Sequence, residues 1–129
     1  MTLEKLLNGQ NLKEFADDKF NLLIKENTTY IQTLDNLTPY FLQVMEAMPP
    51  MAQSIVHYLI MTKKDLSDFL TTYFLSKKLH EESKEVSVYC KYLYDNGCVE
   101  RQKTTQGFEY KINSQIFYDW YRFRYSMKK

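Results

Sequence analysis

Lys84, Ser87, Lys91 and Tyr92 fall on what reads as one exposed face of a helix. Arg101, Lys103, Thr104, Thr105 and Gln106 form a polar, slightly basic stretch just downstream. Ammonium and guanidinium groups meet phosphates, and Ser and Tyr hydroxyls reach base edges. A basic loop beside such a helix suits phosphate or minor-groove contact. The chemistry of this set is binding, with duplex DNA as the first ligand to consider. A solvated helix face and an ordinary exposed turn have the same composition. The helix face also lacks Arg, the commonest reader of guanine.

Bond-making chemistry finds no support. Gly9, Gly97 and Gly107 are isolated and GxxxxGK is absent, so no phosphate-binding loop is present. Cys90 and Cys98 form no CxxC, and His57 and His80 lie far from them. The paired ligands of a zinc site are therefore missing. Cys90 reads as a small core residue, and His57 as an exposed residue on the polar side of its helix. No Ser/His/Asp set can be argued. The expectation is a non-enzyme with no metal and no cofactor.

The elements that must position the polar set follow from periodicity. Leu3, Leu6 and Leu7 fit one helical turn. Leu12, Phe15, Ala16, Phe20 and Leu23 recur at helical spacing behind an Asn11–Glu14 cap signal. Asn27-Thr28-Thr29 reads as a break, followed by a short helix with Tyr30, Ile31 and Leu34. Thr38-Pro39 reads as a helix start with Thr as the cap. Phe41, Val44, Met45 and Met48 follow, and Pro49-Pro50 stops the helix. Ala52, Ile55, Val56 and Leu59 line a helix to about Met61. Thr62 and Asp65 signal the start of another, carrying Leu66, Phe69, Leu70 and Tyr73. A third carries Val86, Tyr89, Cys90 and Leu93 inward and stops at Asn96-Gly97. Cys98–Lys103 reads as a strand and Thr104–Gly107 as its turn. Phe108, Tyr110 and Ile112 alternate with Glu109 and Lys111 as a half-buried strand. Asn113-Ser114 caps a last helix. Its stretch FYDWYRFRY, residues 117–125, holds six aromatics. Phe117, Trp120 and Tyr121 are expected in the core, with Arg122, Arg124 and Tyr125 outside.

Helix, helix, helix, hairpin is the outline of a winged helix-turn-helix. The expected fold is mostly α with one β-hairpin: a winged helix over residues 50–129, preceded by a helical segment over residues 1–49. The 129 residues suffice for one modest core, and three Gly and three Pro favour helices over a sandwich. No Gly/Ser tract separates the two parts, so they are expected to pack together. Net charge is +1, with residues 1–49 at −3 and residues 50–129 at +4. That imbalance is compatible with nucleic acid without requiring it. No apolar run approaches 18 residues and no secretion signal is visible. With only two Cys, a cytoplasmic setting is the expectation.

Three stretches carry a resemblance: LTPYFLQVMEAMPPMAQSIVHYLI, VSVYCKYLYDNGCVERQ and FEYKINSQIFYDWYRFRY. Together, over residues 37–125, they resemble the C-terminal part of archaeal-type P-loop ATPases related to the AAA+ and STAND classes. The most specific piece is Tyr110 to Phe123, with Trp120 followed by Arg122. Asn113-Ser114-Gln115 stands where that family has an aspartate-proline. The resemblance implies that residues 1–49 are the end of a helical lid or connector, and that this chain is a fragment or truncated relative of a longer ATPase. It implies a non-catalytic module that binds DNA or couples to a protein partner, an ATPase module being one such partner. Two alternatives stand beside it. One is a free-standing winged-helix DNA-binding regulator, a homo-oligomer paired through residues 1–49. The other is a pure protein-interaction domain.

Overall fold

The structure is a computed structural model and describes residues 1–62 and 65–127. Among these, eight helices surround a small antiparallel sheet. Four short helices come first: α1 (Leu3–Leu7), α2 (Leu12–Leu23), α3 (Tyr30–Asn36) and α4 (Thr38–Glu46). Then come α5 (Pro50–Met61), β1 (Leu70–Thr71), α6 (Thr72–Leu79), α7 (Ser83–Asp95), β2 (Val99–Thr104), β3 (Gly107–Ile112) and α8 (Gln115–Met127). No helix among the described residues is long and apolar enough to cross a membrane.

Local chemistry sets most helix ends. Asn11 and Glu14 form a reciprocal capping box on α2, with Glu14 N donating to Asn11 Oδ1 at 2.8 Å. Thr29 and Gln32 do the same for α3. Ser114 Oγ accepts from Phe117 N at 3.0 Å and starts α8. Thr38 does not cap α4. Leu37 precedes α4 in a helical conformation with no side-chain cap, and the Thr38 hydroxyl instead accepts from Trp120 Nε1 at 3.1 Å.

The stretch from Leu66 to Tyr73 is not the single helix its periodicity suggests. The start expected at Thr62 spans residues 63–64, outside the described residues. Asp65 Oδ1 accepts from Ser67 N at 2.8 Å, a turn bond that competes with helix. Leu70 and Thr71 then pair with Tyr110 and Glu109 of β3, and α6 starts only at Thr72. The expected hairpin is therefore a three-stranded sheet of order β1-β3-β2. The turn is also tighter than expected. Thr104 and Gly107 are its closing pair, and only Thr105 and Gln106 connect the strands. Tyr110 and Ile112 are buried, but Phe108, expected beside them, is 38% exposed next to the turn of the hairpin.

One core spans both halves of the chain, from Leu3 and Leu12 through Phe41 and Ile55 to Leu93 and Trp120. Pro49-Pro50 ends α4 and opens α5, with Pro50 at the first helical position. Gly97, at φ +73°, joins α7 to β2 and ties them to the N-terminal segment. Its carbonyl accepts from Leu12 N at 2.8 Å and Asn113 Nδ2 at 2.6 Å. A Cβ there would lie 2.9 Å from Asn11 Cα, so glycine is required by both conformation and space.

Four consecutive residues of α8 fasten it to three other helices. Tyr30 Oη of α3 donates to Asp119 at 2.5 Å. Trp120 reaches Thr38 of α4, Tyr121 Oη lies 2.8 Å from His57 Nδ1 of α5, and Arg122 Nη1 donates to Ile60 O of α5 at 3.0 Å. Phe41 packs edge-on against Phe117 and Trp120 at 5.1 and 5.2 Å. Phe117, Trp120 and Tyr121 are buried as expected. Arg122, Arg124 and Tyr125 are half-buried rather than outside: Tyr125 stacks on Tyr121 at 4.3 Å, and Arg124 lies over the Trp120 ring at 6.0 Å. His57 is likewise half-buried, with the rings of Tyr58, Tyr121 and Tyr125 5.3–5.7 Å away.

Trp120→Ala removes this packing and orphans Thr38, so a loss of about 3–5 kcal/mol is expected by denaturant unfolding. A loss under about 1 kcal/mol would contradict the core role of α8. Burial holds the His57 imidazole below its ordinary value of 6.5. Below that pH the unfolded chain takes up a proton the folded chain resists, so stability falls as pH drops. Urea midpoints measured at about pH 7.5 and about pH 5.5 should show this loss, and His57→Gln should reduce it.

Candidate binding groove

A groove of about 730 Å³ runs between α7 and the β2–β3 hairpin, closed at one end by the start of α6. Each wall has a local cause. The helical period of α7 turns Ser87 and Lys91 to one side while Val86, Cys90 and Leu93 face the core. The two-residue turn holds the hairpin tip, with Thr104 Oγ1 donating to Gly107 O at 2.8 Å. The short β1–β3 pairing places Thr71, Thr72 and Tyr73 against the same space.

The groove brings together five of the nine polar residues singled out above: Ser87, Lys91, Arg101, Thr104 and Gln106. Lys84, Lys103 and Thr105 are exposed but lie outside its lining. Tyr92 departs from expectation. It is half-buried on another side of α7, beside Met1–Glu4 and Ala47–Pro49. Burial also raises its phenol above the ordinary value. The N-terminal segment packs on that side of α7, so Tyr92 is a support for the fold rather than a groove residue.

Residue types gave no warning of the aromatic content. Tyr73, Phe108 and Tyr110 line the groove. The Arg101 guanidinium lies close to two rings, 3.9 Å from the Tyr94 centroid and 4.2 Å from that of Phe108. Cross-strand register explains half of this arrangement: Arg101 pairs with Tyr110, two residues from Phe108 on the same face of β3. The Tyr94 contact arises only because α7 packs beside β2. Burial raises the Tyr110 phenol, and the charge and hydrogen bond of Arg101 act in the opposite direction. Lys91 Nζ is 2.6 Å from Asp95, an exposed bridge along α7.

The electrostatics are divided. No carboxylate is among the described lining residues, while Glu81, Glu82 and Glu85 crowd the exposed start of α7. Residues 81–95 carry two lysines and four carboxylates, and residues 99–112 three cations and two carboxylates, a balance of −1.

The described residues contain no group of three or more His, Cys, Asp or Glu that could hold a metal ion. Cys90 and Cys98 are buried and free, and burial pushes both thiols up to about 12. No family model, curated protein or solved structure matches the chain. The geometry of the groove therefore carries the functional argument.

Native protein at about pH 8 should resist a thiol reagent such as DTNB at both cysteines, because the thiolate is the reactive form. Both should react promptly in denaturant. Fast labelling of either thiol in the native state would contradict their burial.

Proposed function

We propose that residues 50–127 form a winged helix, and that the chain is the non-catalytic terminal module of a P-loop ATPase-like protein. In this reading it couples to a protein partner through the α7–hairpin groove. Its location is the cytoplasm, where two buried thiols stay reduced. The order α5-β1-α6-α7-β2-β3, with sheet order β1-β3-β2, supports the winged-helix assignment. In that arrangement α7 is the exposed recognition helix and the hairpin is the wing.

One observation favours a protein partner over duplex DNA. The recognition helix is neutral and the wing carries +1; with Glu81 and Glu82 just before the helix, residues 81–112 balance at −1. Duplex affinity comes largely from neutralised phosphates, so a near-neutral face that opens on acidic residues binds it poorly. The aromatic lining supports the same choice, since ring faces contribute most when an apolar side chain covers them. Coupling also has a physical basis. The hydrogen bonds of Asp119 to Arg122 hold α3, α4 and α5 to one helix. A displacement of the N-terminal segment therefore moves with the groove-bearing unit rather than being absorbed by a linker.

Duplex binding is the second reading, favoured by the carboxylate-free lining and the basic tip residues Arg101 and Lys103. Fluorescence anisotropy of a labelled duplex at low salt separates the two. The coupling reading expects no saturable binding at micromolar protein, but a stable complex in pull-down. Saturable, salt-sensitive binding that Lys91→Ala and Lys103→Ala each weaken would transfer the assignment to DNA. The ATPase relationship expects an upstream reading frame containing GxxxxGK, and a stop codon shortly before Met1 would count against it.

A further inference from the structure

We propose that the α7–hairpin groove docks an acidic linear peptide of a partner protein, with a peptide carboxylate held by Lys91 and Arg101. The peptide also carries an apolar side chain that covers Tyr73 and Phe108. This inference rests on the coupling reading and names the chemistry of its partner.

Charge placement comes first. Lys91 and Arg101 are the charged side chains among the described lining residues; Asp95, paired with Lys91, and the glutamates at the start of α7 lie outside the lining. A duplex crossing this face would carry phosphates past Glu81, Glu82 and Glu85. A short peptide lying in the groove avoids all three. The groove volume of about 730 Å³ lies in the range of clefts that hold compact ligands.

Arg101 is already arranged as a receptor. The Tyr94 and Phe108 ring centroids lie 3.9 and 4.2 Å from its guanidinium carbon. The ring contacts leave N–H groups of the fork to donate, one of them already engaged with the Tyr110 hydroxyl. A planar fork fixed in this way matches a carboxylate bidentately and loses little freedom on binding. Among the described residues Lys91 pairs with its neighbour Asp95, their side chains 65% and 51% exposed. Exposed pairs one helical turn apart contribute little, so Lys91 can exchange partners at small cost.

The rim gives the second half of the specificity. Tyr73 is 65% exposed and Phe108 38%, with Val88 at 60% one turn from Lys84 and Lys91. These surfaces gain from covering by an aliphatic or aromatic side chain and gain little from a sugar-phosphate backbone. Ser87 offers a hydroxyl on the same wall for the peptide backbone.

The test uses the whole chain and a phage-displayed random heptapeptide library. Enriched peptides should carry net negative charge and at least one large apolar residue. Titrating the best of them into isotope-labelled protein should shift amides of residues 71–73, 87–91 and 101–110. Lys91→Gln and Arg101→Gln should each weaken it about tenfold, as expected for loss of a charge-assisted hydrogen bond. Lys25→Gln, exposed on the N-terminal segment, should leave it unchanged. Arg101 also staples the hairpin, so Lys91→Gln is the decisive variant if Arg101→Gln unfolds. A library that yields no groove binder, or shifts that map elsewhere, would overturn the proposal. Neutral or basic peptides that bind the groove and are lost on Phe108→Ala would remove the acidic specificity while leaving the coupling reading intact. A labelled duplex shifting the same amides, with no peptide enriched, would remove both.

Discussion

Helix α8 is the constraint on which the remaining architecture depends. From Asp119 to Arg122, each residue hydrogen-bonds to an element far away in sequence, reaching α3, α4 and α5 in turn. Successive helical positions point about 100° apart, so four in a row sweep most of the circumference. A helix can use all four only if neighbours surround it. The aromatic types make this possible, because Trp, Tyr and Arg combine large packing surfaces with a polar end that must be satisfied when buried. Phe117 and Phe41 fill the space between these bonds. The N-terminal helices and the sheet-bearing unit thus share one core across α8.

The groove is a consequence of that packing. Helices α5 and α6 pack on α7, and its side carrying Ser87 and Lys91 faces the groove. Gly97 sets the angle at which β2 leaves α7, in a left-handed conformation and against Asn11. The N-terminal segment therefore helps define the groove without lining it. Arg101 is held by rings from two elements, so its orientation reports how α7 and the hairpin sit together. Such an arrangement suits a coupling surface, where a partner senses the relation between two elements and not a single side chain.

The groove's electrostatics also temper a reading based on fold alone. A helix with a hairpin beside it is widely used to hold duplex DNA, but fold does not imply function. Here the carboxylates of α7 offset its lysines. The rings that stabilise Arg101 also make the surface partly apolar. Both features weigh toward protein contact.

Much of the secondary structure is legible in the sequence. The Asn11–Glu14 box, the Asn96-Gly97 stop, the Ser114 cap and the inward face of α7 are local matters. They depend on residues within four positions of one another, and the structure bears them out. The burial of Phe117, Trp120 and Tyr121 was also readable, since a block so rich in aromatics cannot all stay in water. Other features followed from partners distant in sequence. Leu70 and Thr71 form a strand because β3 offers an open edge, overriding the helical spacing of Leu66, Phe69 and Leu70. Thr38 is an acceptor for Trp120 rather than a cap, and His57 is enclosed by tyrosines of its own helix and α8. Of the nine polar residues chosen for binding, sequence order could place them near one another but could not say which shared a cavity. Tyr92 and Ser87 lie five residues apart, about 140° around one helix, and tertiary packing decided that one side meets the N-terminal segment and the other the groove. The sequence by itself determined the local elements, because caps, periodicity and turns are short-range physics. The third strand, the Arg101 stack and the division of charge around the groove were decided by tertiary structure, because each arises where separate elements meet.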